Sequence, residues 1–132
     1  VGSALMRDKY FPDKSTVPSL HLAIVRDGAI AERHVLMPRS ETEHAGHARF
    51  HVMPNGDVYA LLYVAGPTPR NELLPIYPKV DPANRVPVPF KTPFGGFLLA
   101  NTRSGNAPSN TIDLIGPNGK PNAMGYGQIV IE

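Results

Sequence analysis

Apolar and polar positions alternate most clearly between Gly46 and Gly66, where the chain reads GHARFHVMPNGDVYALLYVAG. Two apolar-rich runs, Ala48 to Met53 and Val58 to Val64, flank Pro54-Asn55-Gly56-Asp57. Asn-Gly offers the left-handed backbone conformations that tight turns require, so the stretch predicts a β-hairpin. Side chains alternate along a strand with a period of two, which puts Val58, Ala60, Leu62 and Val64 on one face and Tyr59, Leu61 and Tyr63 on the other. Both faces are apolar, so this strand is expected to be covered on both sides, by stacked sheets or by a helix layer. The first strand differs. Phe50 and Val52 share an apolar face, while His47, Arg49, His51 and Met53 share the opposite one.

Elsewhere the pattern is one of short strands joined by turns. Residues 1–18 are an irregular lead-in closed by Pro18. Ser19 to Val25 and Ala29 to Met37 predict a second hairpin built on Asp27-Gly28. Pro38 to Ala45 is a polar connecting loop. Asn71 to Ile76 reads as a short strand whose Pro75 favours a sheet edge, and Val86 to Phe90 (VPVPF) reads as an outer edge strand, because proline cannot donate to a ladder. Gly95 to Thr102, Thr111 to Ile115 and Tyr126 to Ile131 are further strands, separated by the turns Arg103 to Asn110 and Gly116 to Pro121. No stretch carries a 3.6-residue period.

Composition narrows this picture. At 132 residues the chain fits one small domain, and 15 prolines and 12 glycines spread along it leave little room for long helices. A net charge of +2 with scattered basic residues, and no aromatic interleaving, argues against nucleic acid as a partner. No stretch approaches the roughly eighteen apolar residues of a membrane span. The absence of cysteine excludes disulfides, thiolate metal sites and thiol catalysis. The opening Val1-Gly2-Ser3 lacks an initiator methionine, as expected of a piece cut from a longer protein.

Hairpins at regular spacing suggest a sandwich, a barrel or propeller blades. From His47 to the restart at Gly95 is close to the length of one four-stranded blade, roughly 40 to 50 residues. The expected division is a lead-in at 1–18, a hairpin of a preceding blade with its linker at 19–45, a complete blade at 46–91 and a final or partial blade at 92–132. The whole is an all-β chain of antiparallel four-stranded blades, about two and a half of them. A small β-sandwich is the alternative.

His47 to Gly56, Val58 to Val64, Thr102-Arg103-Ser104-Gly105 and Pro108 to Gly116, with Leu20 to Gly28, carry a resemblance to the C-terminal part of sialidase-like, BNR-repeat β-propellers, a superfamily that includes polysaccharide lyases. The Ser-x-Asp-x-Gly-x-x-Trp box of sialidase repeats is absent, and the chain has no tryptophan. The resemblance implies a secreted or periplasmic protein acting on an acidic polysaccharide, completed by remaining blades of the same protein or by other protomers, and requiring no cofactor.

The candidate chemistry lies on the polar row of the first strand. His47, Arg49 and His51 span roughly 13 Å at about 3.3 Å per residue. Arg49 could pair with a uronate carboxylate through its fork, and His51, or Tyr63 on the neighbouring strand, could move a proton. His47, Arg103, Asn101 and Asn110 are candidate substrate-binding residues, the last three in or beside the Gly/Ser/Asn-rich loop. The plainer readings are polar residues lining a channel or a blade interface, core tyrosines, and a structural Arg103 with Asp113 as its ion-pair partner. His21 and His34 are expected as cross-strand neighbours in the first hairpin. A metal set of Glu43, His44 and His47 can be drawn, but its loose spacing in a polar loop favours a solvated loop. With His, Arg and Tyr present and no evident pair of inward carboxylates, β-elimination is favoured over hydrolysis. A non-catalytic glycan-binding or structural module is the rival.

Overall fold

The computed structural model describes residues 10, 12, 19–38, 40–98, 107–119 and 122–132. Every named element is a β-strand, and all pairings are antiparallel. Strands β1 (Leu20–Arg26) and β2 (Ala29–Met37) form one hairpin. Strands β3 (His44–Val52), β4 (Val58–Ala65), β5 (Arg70–Tyr77) and β6 (Val86–Val88) form a four-stranded sheet in chain order. Strands β7 (Thr111–Pro117) and β8 (Met124–Val130) form a third sheet.

The turns follow from their residues. In the first hairpin Arg26 faces Ala29 across Asp27-Gly28, and both turn residues have positive φ, the requirement of a two-residue type I′ loop. The central hairpin uses its turn sequence differently from the expected tight Asn-Gly turn. Gly56 N donates to the Met53 carbonyl and Met53 N to Asp57, so Pro54 and Asn55 occupy a conventional turn and Gly56 alone is left-handed. Proline's fixed φ suits the first turn position, and glycine absorbs the reversal that follows. The Asn55 side chain secures the loop by accepting from Asp57 N and donating to the Asp57 carboxylate.

β4 is covered on both faces, and the cover is sheet on both sides. Tyr59, Leu61 and Tyr63 pack towards Phe94, Phe97, Ile112 and Leu114, whereas Val58, Ala60 and Leu62 pack towards Leu20, Leu22 and Leu36. The four-stranded sheet therefore lies between β1–β2 and β7–β8, and the molecule has two apolar joints where a two-sheet sandwich has one.

Pro75 lies inside β5, third of four strands, but β6 pairs only with Asn71, Glu72 and Leu73. The missing N–H thus falls where β5 is locally an edge. The first part of the expected strand at 95–102 runs beside β7. Gly95 N donates to Pro117, Leu98 N donates to Ile115, and Phe94 bridges Asn118. Between those bonds Gly96 and Phe97 oppose the single residue Gly116, the count of a β-bulge. A side chain at Gly116 would run into the Gly96 carbonyl, so only glycine lets the two backbones approach. The rest of that strand and most of the lead-in lie outside the described residues.

Candidate functional site

Register fixes where the polar row of β3 points. His47 lies opposite Tyr63, Arg49 opposite Leu61 and His51 opposite Tyr59. Directly opposite residues share a face, so the row is turned into the joint with the third sheet rather than along the sheet's edge.

The two ends of the row have different environments. His51 is 1% exposed, and its Nε2 lies 2.6 Å from the Ser109 carbonyl at the start of β7. A carbonyl only accepts, so Nε2 donates to it. Nδ1 is buried and has no hydrogen-bond partner among the described residues. His51 therefore ties one sheet to the next, and its ring is buried in the joint, away from the exposed end of the row. Asn110, beside Ser109, is exposed, and its backbone carbonyl accepts from Ile131 N.

At the other end His47 is exposed and meets Phe97 edge-on, with ring centroids 6.1 Å apart. Tyr63, opposite it, is half-buried. β3 skips a residue between Ala45 and His47, and the Tyr63 ring leans over the vacant side of Gly46, where a Cβ would stand 2.8 Å from the ring. Gly95 leaves room on the far side of the same ring. The glycines thus set the ring beside His47. Arg49 is exposed and, among the described residues, donates only to the neighbouring Ala48 carbonyl, so its fork retains donors for a ligand.

The register sets His47 opposite Tyr63, with Arg49 two residues along on the same strand face; Arg49 also borders a small pocket with Leu20, Leu22 and Phe50. The same register separates His51 from Tyr63 by about 13 Å of strand. Arg103 and Asn101 lie outside the described residues. The expected pairing of Asp113 with Arg103 therefore lies outside them, and among the described residues Asp113 accepts from Tyr126 Oη and Gln128 Nε2, both at 2.8 Å. These bonds, Gln128's first, hold the Asp113 carboxyl below its ordinary range, and Asp113 pushes the Tyr126 phenol up. His34 pairs with Leu22 and His21 with Val35, so the two histidines occupy opposite faces of the first hairpin and are not neighbours.

Sequence reasoning missed a charged network. Arg70, at the start of β5, donates two bonds to Glu43 and one, at 2.6 Å, to the buried Glu72, which also meets Arg85 at 3.5 Å. Arg70's hydrogen bond holds Glu43 below the ordinary carboxylate range, and the two carboxylates raise Arg70 further. The network lines a cleft of about 390 Å³ with Met37, Pro38 and Pro82. Two guanidinium groups and two carboxylates balance one another there, so the described residues of the cleft present no unpaired charge for an ionic ligand. Glu43 and Arg70 are separated by 27 residues, and no local pattern announces the pair. Glu43 is thereby engaged away from the drawn metal set, and no cluster able to hold a metal occurs among the described residues.

No known protein family, no curated protein and no solved structure matches the chain.

Proposed function

We propose that this chain is a segment of a sialidase-like β-propeller in a carbohydrate-active protein, and that it meets an acidic polysaccharide at His47, Arg49 and Tyr63. The observation that carries this reading is the pairing of His47 with Tyr63 across β3 and β4, with the exposed Arg49 on the same strand face. Arg49 would hold a uronate carboxylate bidentately, and the Tyr63 ring and His47 would flank the sugar. The face-to-face stacking of consecutive antiparallel sheets supports the propeller part of the reading.

The same pairing favours β-elimination as the chemistry that would follow. Neutralising the carboxylate acidifies the C5 proton, which neutral His47 or ionised Tyr63 would accept; the C4=C5 double bond would form as the C4–O4 bond breaks, and the leaving oxygen would take a proton from water. Binding without turnover is the second reading, favoured by His51 serving the joint.

Calorimetric titration with a uronate oligosaccharide, alongside an assay for unsaturated uronate, tests this. Binding that weakens roughly tenfold or more in Arg49→Ala, with the melting temperature unchanged, is expected. Appearance of unsaturated product would establish elimination, and binding without product would establish the glycan-binding module. Binding indifferent to Arg49→Ala, or no binding, would contradict the site.

A further inference from the structure

The outermost faces of the stack are apolar and carry opposite charge. On β1–β2 the register turns His21, Ala23, Val25, Ile30, Arg33 and Val35 away from the core. On β7–β8 it turns Asp113, Ile115, Met124, Tyr126, Gln128 and Val130 away. Tyr126 and Val130 are 64% and 65% exposed. An exposed apolar sheet face of this kind marks an interaction surface.

The charges are placed to distinguish the two faces. Arg33 makes no ion pair among the described residues, and it stands at the middle of the β1–β2 outer face, opposite Ala23. Asp113 stands at the middle of the β7–β8 outer face, and both of its donors among the described residues are neutral. Like faces would set Asp113 against Asp113 or Arg33 against Arg33, whereas unlike faces set Arg33 against Asp113.

We infer that a second copy of this chain docks with its β1–β2 outer face on the β7–β8 outer face of the first. The contact continues the packing that the chain already uses twice, sheet face on sheet face, at its two internal joints. It is a heterologous contact, which closes into a ring only if the rotation between copies closes. Each face is two strands wide, so a single junction is small and the association depends on concentration. The inference rests on the propeller-like stacking proposed above and is independent of the glycan site.

The test is sedimentation equilibrium of the wild-type chain, of Arg33→Asp, of Asp113→Arg and of the double variant, with circular dichroism confirming the fold of each. The wild type should self-associate, each single reversal should weaken the association roughly tenfold, and the double reversal should restore it, because every junction then regains one pair of opposite charges. An equimolar mixture of the two single variants should also associate, because both junctions between unlike variants pair opposite charges: the new carboxylate of Arg33→Asp meets the new guanidinium of Asp113→Arg, and the retained Arg33 meets the retained Asp113. Association unchanged by the reversals overturns the inference. So does a monomer at all concentrations, and its urea unfolding then separates two failures. A monomer that unfolds in one cooperative transition leaves the stack intact, whereas one without a cooperative transition contradicts the stack as well.

Discussion

A buried amide has four hydrogen-bonding positions to satisfy, and Asn71 fills three of them, in two directions. Its Oδ1 accepts from Phe94 N at 2.8 Å, and its Nδ2 donates to the Phe94 carbonyl at 3.0 Å and to the Leu62 carbonyl at 3.4 Å. The side chain thus copies a strand neighbour and fixes where the third sheet begins. Asn71→Leu keeps the volume but strands the Phe94 N–H and carbonyl, and the expected loss is about 2–4 kcal/mol by urea denaturation. A loss below about 1 kcal/mol would show that these groups find other partners. Glu43 acts through charge. Its folded pKa lies below its unfolded one, so the stabilisation is fully present above the unfolded carboxyl value, about pH 4.3, and is lost as the pH falls through the folded value. Melting temperature should therefore fall more steeply below about pH 4 in the wild type than in Glu43→Gln. At this scale the sequence shows which residues share a strand face but not what lies opposite. That is why His51 reads as a candidate base when in fact it faces the Ser109 carbonyl across a joint.

Turn chemistry made the elements readable. Asp27-Gly28 and Gly56 each reverse the chain where positive φ is needed, and the alternation in β4 correctly anticipates cover on both faces. The proline argument for β5 also holds locally, although the strand as a whole is interior. Less legible was the bulge at Gly96-Phe97, since it depends on a contact with Gly116 some twenty residues away. That contact makes a prediction. Gly116→Ala drives a methyl group into backbone that cannot swing aside, and the urea midpoint should shift by an amount equivalent to about 1–3 kcal/mol. Gly95→Ala serves as the control, because its Cβ would stand at 3.8 Å from the Tyr63 ring, an ordinary contact. Equal effects from the two substitutions would mean that the close approach at Gly116 does not limit the joint.

At the scale of the molecule, the described residues form three sheets stacked through two apolar joints, and the polar row of β3 opens at the end of one joint through His47, Arg49 and Tyr63. Phe50 is 51% exposed on the β1–β2 side of β3, which shows that the two-stranded first sheet does not cover the whole of its neighbour. The all-β antiparallel character was legible from the breakers and the hairpin spacing. The order of the layers was not, because strand pattern marks a covered face without naming its cover. The measurement that bears most directly on the account is a two-dimensional NMR titration of the isotopically labelled chain with a uronate oligosaccharide. The account predicts perturbed signals at His47, Arg49, Tyr63 and the Gly95-Gly96 backbone, with those of Glu43, Arg70 and Arg85 unmoved. Shifts centred on the Arg70 cleft, or no shifts at all, would contradict it.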